Sequence, residues 1–150
     1  MPLEQAMSRA IPAADSEWTD PIPLTQVPTS FGIFKPVGWV FMGLPTQAQA
    51  DTLVTALHAQ GWPADEVLHF TASETAEELD EMAGRAGLLS GFGYEITLLR
   101  RYAALAHQGS KWLLVKAADT EQAASAAEAA RSCGATLAVH YRTLIVEELI

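Results

Sequence analysis

The stretch Ala135-Thr-Leu-Ala-Val-His-Tyr-Arg-Thr-Leu-Ile-Val146 decides how this chain folds. Leu137, Val139 and Tyr141 alternate there with Ala138, His140 and Arg142. Successive side chains of a strand point to opposite faces, so this period of two reads as a strand with one apolar side. The rival architecture, a small doubly wound parallel sheet, asks instead for near-continuous apolar strands. Working back along the chain, an alanine-rich run opens at Asp119 or Thr120, both good N-caps, and stops at Gly134, which predicts a helix. Lys111-Trp-Leu-Leu-Val-Lys-Ala-Ala118 precedes it and predicts a strand. Residues 111–146 thus read as strand, helix, strand.

The same order occurs once before. Val37-Gly-Trp-Val-Phe-Met-Gly-Leu44 is an apolar run of strand length ended by Pro45. Thr46 and Gln49 stand at capping-box spacing, Leu53, Val54 and Leu57 follow at helical intervals, and Gly61 supplies the stop. Val67, Leu68 and Phe70 then mark a short second strand. Between the two halves lie two further helices, an acidic one over 73–86 and a broadly apolar one over 94–107. The fold class expected from this order is α+β: a ferredoxin-like βαββαβ sandwich with two extra helices inserted between strands 2 and 3. Its four strands would lie in the order 4-1-3-2, and the inserted pair returns the chain to the same end of the sheet. Residues 1–30 carry five prolines without a sustained period and are expected to form an N-terminal arm, leaving 31–150 as a single domain.

Composition narrows the function. The chain has 150 residues and a net charge of -9, with 9 basic against 18 acidic side chains. Phosphate-backbone binding needs the opposite balance, so no nucleic-acid partner is expected. Nothing in the sequence has the length of a membrane span or the form of a secretion signal, so a cytoplasmic protein without a membrane partner is expected. The lone Cys133 excludes an internal disulfide and reads as a small apolar core residue. Gly84, Gly87, Gly91 and Gly93 fit no phosphate-binding spacing, and no nucleophile elbow, di-metal pattern or metal-ligand set occurs. The expected catalytic set, metal site and cofactor are therefore none. His58 and His107 fall in the last turns of their helices, where an imidazole complements the negative helix end.

What remains is a sheet face. With helices on one side only, alternation assigns Trp39, Phe41, Trp112 and Leu114 to an uncovered side, together with His140 and Arg142, and with His69. Such an aromatic patch exceeds what monomers expose, so something must cover it: a second copy, the arm, the inserted helices or a ligand. Pairing of two copies across a two-fold axis is the first expectation. A small-molecule pocket between paired sheets is the second, with His69, His140, Arg142 and Tyr94 as its polar groups. His69 and His140 would stand about three strand spacings, ~14 Å, apart, too far to share a metal. On the first reading Trp112→Asp dissociates the assembly and leaves the helices folded.

Tyr94 to Gly109, leading into Trp-Leu-Leu-Val at 112–115 and on to the Gly134-Ala135 pair, resembles the second half of the bacterial heat-induced or general stress protein domains. The strand, helix, glycine and tryptophan pattern of 37–62 is similar to their first half. The resemblance implies a ferredoxin-like module with no active site to carry over. The resulting expectation is a non-catalytic homo-oligomeric module, plausibly stress-related; the alternative is a small-molecule binding protein or cofactor-free enzyme.

Overall fold

Thr46 and Asp119 begin the two helices that the sequence marks most clearly. The Thr46 hydroxyl accepts from the Gln49 N–H, and the Asp119 carboxylate accepts from the Gln122 N–H at 2.8 Å. Gly61 at φ +109° and Gly134 at φ +86° follow the two helices, in the left-handed region that a residue with a Cβ resists. The computed structural model describes residues 21, 22, 27, 29, 30, 33–70, 72–86, 93–143 and 145–150. Trp18, Leu24, Gly87, Gly91 and the side chain of Tyr94 lie outside what is described.

In chain order the elements are β1 (Thr29–Ser30), β2 (Ile33–Phe34), β3 (Trp39–Leu44), α1 (Gln47–Ala59), β4 (Val67–His69), α2 (Ala72–Ala86), α3 (Gly93–His107), β5 (Lys111–Lys116), α4 (Thr120–Ser132), β6 (Leu137–Tyr141) and β7 (Val146–Glu148). The protein is α+β. Five strands form one antiparallel sheet in the order β4-β5-β3-β6-β7, while β1 and β2 pair as a small hairpin. This order differs from the expected four-stranded one by β7, an added edge strand that the sequence reading missed. Ahead of the sheet, the Ile22 N–H donates to the His69 carbonyl at 2.9 Å and Val27 is buried, so these two residues of the proline-rich segment dock on the body. None of the helices among the described residues is long and apolar enough to cross a membrane.

Helices cover the sheet on both faces. On one, Val40, Met42, Leu113, Val115 and Ala138 pack against Leu53, Val54 and Leu57 of α1 and against α4. The buried residues of α4 are all alanines, Ala123, Ala126, Ala127, Ala129 and Ala130, so its backbone can lie close to the strands. On the other face Phe41, Trp112, Leu114, Val139 and Tyr141 pack against Leu79 and Met82 of α2 and against Leu98, Leu99 and Tyr102 of α3. Phe41 stacks on Trp112 with ring centroids 4.7 Å apart and planes 3° from parallel, and Tyr102 leans on both rings. The Tyr102 and Tyr141 hydroxyls share a buried hydrogen bond of 2.7 Å.

Two expectations are corrected here. The face carrying Trp39, Phe41, Trp112 and Leu114 is not open: α2 and α3 of the same chain roof it, leaving Trp112 only 3% exposed and Phe41 fully buried. Of the possible covers, the helices between β4 and β5 take the role, because the apolar sides of both have nowhere else to be buried. Pairing of two copies through this face accordingly has no exposed patch to rest on. The second correction concerns sides. The β3–β6 register sets Trp39 opposite Tyr141 and Val40 opposite His140, so His140 lies on the α1 and α4 side, away from Trp39. His69, opposite Leu113, lies on that side too. With both faces apolar, alternation fixes which residues share a side and not which side faces the aromatic layer.

Candidate functional site

Three connections meet at the end of the sheet where β3 starts and where β5 and β6 finish. The turn before β3 needs Gly38, whose φ is +91°. Its N–H donates to the Tyr141 carbonyl at 2.8 Å, and its own carbonyl accepts from the Ala117 N–H at 2.9 Å. Those two bonds tie the start of β3 to both neighbouring exits. Beyond β6 the Arg142 N–H donates to the Ile145 carbonyl at 2.8 Å, closing the connection to β7. Beyond β5 the chain passes through Ala118 and Asp119 straight into α4; the Ala118 N–H donates to the Gln122 side-chain carbonyl at 2.9 Å.

These segments enclose a cleft of about 600 Å³. His140 and the first residue of α4, Thr120, line it, with Asp119, Arg142 and Thr143 adding polar atoms. Val37 and Ile145 add the apolar part. They are 45% and 53% exposed and are the two exposed large hydrophobic residues among those described. Ligand sites usually combine such features: a concave, mostly apolar wall and a few convergent polar groups.

His140 is the unusual group. Its residue is 4% exposed, and its Nδ1 is buried without a hydrogen-bond partner among the described residues. Burial lowers its pKa below the ordinary imidazole range; Glu147, opposite it in β7, pulls the other way, and Arg142 reinforces the lowering. At neutral pH the ring is therefore uncharged and offers one N–H and one lone pair. Buried polar groups are seldom left unpaired, because each lost hydrogen bond costs roughly 1–3 kcal/mol. Asp119 differs, since its carboxylate already caps α4.

No family model, curated protein or solved structure matches this chain.

Of the residues singled out in the sequence, the structure brings His140 and Arg142 together at the cleft and sends the others elsewhere. Trp39, Phe41, Trp112 and Leu114 belong to the layer under α2 and α3. His69 sits on β4 at the far edge of the sheet, with β5 and β3 between it and β6. His58 Nδ1 lies 2.6 Å from the Trp62 carbonyl at the end of α1, and His107 pairs with Asp80 of α2 at 2.6 Å. Cys133, the C-cap of α4, is half-buried instead of buried, and burial pushes its thiol pKa up. Val37, Gly38, Asp119, Thr120 and Ile145 were not foreseen as site residues. Asp119 was legible as a cap, but only the fold sets that cap beside β6. Among the described residues no group of three or more His, Cys, Asp or Glu could hold a metal ion. A second hollow beside Trp62, Glu66 and Glu121 is polar and acidic, and has no orphaned buried group.

Proposed function

We propose that this chain is a binding module for a small molecule, held in the cleft over His140 and acting without covalent chemistry. The observation that carries the reading is the cleft itself: His140, a buried residue whose Nδ1 has no hydrogen-bond partner among the described residues, is one of its lining residues, and Val37 and Ile145 stand exposed beside it. A bound molecule would cover apolar surface that water now meets and bring a polar partner to the imidazole. Binding is favoured over catalysis because a histidine base relies on a partner that orients its ring, and among the described residues none partners Nδ1. Asp119, a carboxylate of the lining, already caps α4.

The architecture in which this site sits is read, within the same proposal, as a ferredoxin-like sandwich enlarged twice. Setting β7 aside, the strands that begin at Trp39 lie in the order fourth, first, third, second, which supports that reading. α2 and α3 are then an insertion that roofs the sheet, and β7 an addition at its edge. A stress-related role, which the resemblance of 94–141 to stress protein domains implies, would be the setting in which the cleft is used.

A mixed set of neutral, cationic and anionic fragments, followed through the backbone amide resonances of the full chain, tests the function. Hits are expected to move Gly38, Ala118, Thr120 and Arg142 together, and Ile145→Glu is expected to weaken them. Hits that spare these amides and cluster elsewhere would overturn the reading.

A further inference from the structure

The short ladder between β6 and β7 sets a buried imidazole against an exposed carboxylate. At its two ends the Arg142 N–H donates to the Ile145 carbonyl and the Leu149 N–H to the Ala138 carbonyl, each at 2.8 Å, so His140 and Glu147 form the hydrogen-bonded pair between them. Directly opposite residues share a face of the sheet, with Cβ atoms about 4.5–5.5 Å apart. His140 is 4% exposed and lacks a hydrogen-bond partner at Nδ1 among the described residues. Glu147 is exposed, and its carboxylate makes no hydrogen bond or ion pair among them. The other elements around the ring bring few charges to it. Arg142, two residues on in the same strand, shares its side and is the rival cation for Glu147. β3 places Val40 opposite, and α1 and α4 turn Leu53, Val54, Leu57 and alanines to this side. At the ends of α4 stand Asp119, engaged as the cap, and Arg131, engaged with Glu128 and with the Leu149 carbonyl.

We propose that His140 and Glu147 form an acid-closed latch: when the ring takes up a proton from solvent, the Glu147 carboxylate turns in to meet it, and β7 stays paired with β6. With that proton both ring nitrogens become donors, and a buried cation without an acceptor is costly. Burial disfavours the charged ring; Glu147 works against this and Arg142 with it. Without the carboxylate, the ring would reach water most cheaply by releasing β7, an edge strand of three residues with two exposed. The latch therefore keeps the sheet edge closed in mild acid, where release would uncover the unpaired backbone groups of β6. It operates whatever the cleft holds.

Nuclear magnetic resonance of the full chain between about pH 8 and about pH 4.5 tests the latch, the range in which imidazoles titrate. The His140 ring resonances report its proton, and hydrogen exchange at the Leu149 amide, corrected for the intrinsic pH dependence of exchange, reports the pairing of β7. The side-chain carboxyl carbon of Glu147 is expected to step at the pH at which His140 titrates, and Leu149 to keep its protection through that step. Glu147→Gln changes an exposed side chain at nearly constant shape. It is expected to shift the His140 midpoint to lower pH and to remove the protection of Leu149 below that midpoint, with Glu147→Asp falling between. Arg142→Gln is expected to shift the midpoint the other way. A His140 midpoint that Glu147→Gln leaves in place overturns the latch. Loss of Leu149 protection in the natural chain as the ring takes up its proton overturns it equally.

Discussion

His140 shows at the scale of one residue what the sequence holds and what it withholds. Its place on a strand was legible from alternation with Val139 and Tyr141. Its side was not, because that depends on the register against β3, a contact made across about 100 residues of chain. Gly43 is a parallel case: a Cβ there would come within 2.8 Å of the Trp112 ring, so the strand needs glycine where it passes the indole, and nothing local announces this. The burial of His140 has a pH signature. The folded chain binds a proton at this ring more weakly than the unfolded chain does, since burial lowers the pKa. As pH falls, the unfolded chain takes up the proton first. The stability linked to His140 is thus complete above the unfolded value of about 6.5 and drains away as pH drops toward the lower folded value. Urea midpoints measured between about pH 7 and about pH 5 should fall more steeply for the natural chain than for His140→Gln, which has no proton to take up. Parallel slopes would contradict the burial of the ring.

At the scale of elements, the local chemistry of caps and stops carried most of the information. Thr46, Asp119, Gly61 and Gly134 mark α1 and α4 in the sequence, and each performs that role in the structure. Asp119→Ala removes the acceptor of the Gln122 N–H and is expected to cost about 0.5–2 kcal/mol, read from urea unfolding. An unchanged midpoint would contradict the cap. Strand β7 escaped notice for a physical reason as well. Arg142 and Thr143 lead into it without glycine, proline or asparagine, so no residue announces a reversal, and the strand itself is three residues long with two of them exposed. The candidate site suffered the same way. Its rim is assembled from connections whose residues look ordinary one at a time, and Val37 and Ile145 gain their meaning only from being exposed together.

For the whole molecule, the sequence disclosed an aromatic layer that had to be covered and two helices with apolar sides, one of them acidic on its other face, that could cover it, but it did not choose them over a second copy. The consequence for Trp112→Asp is reversed by the roof. Instead of separating two folded copies, the substitution puts a carboxylate beneath α2 and α3, among Phe41, Tyr102 and Leu114. Loss of the buried indole alone costs about 3–5 kcal/mol, and an unpaired buried charge adds to that. The variant is expected to lose its cooperative unfolding transition, as followed by circular dichroism. With its aromatic face closed from within, the molecule keeps the exposed apolar residues Val37 and Ile145 at the cleft, which is why function is sought there. The roof can be tested in one sample that mixes isotope-labelled and unlabelled chains, by recording filtered nuclear Overhauser effects from the Trp112 ring. Contacts with the Tyr102 ring and the Leu99 methyls arising within one chain are the predicted result. Contacts from Trp112 to the sheet aromatics of another chain, with none to α3 of its own, would contradict it.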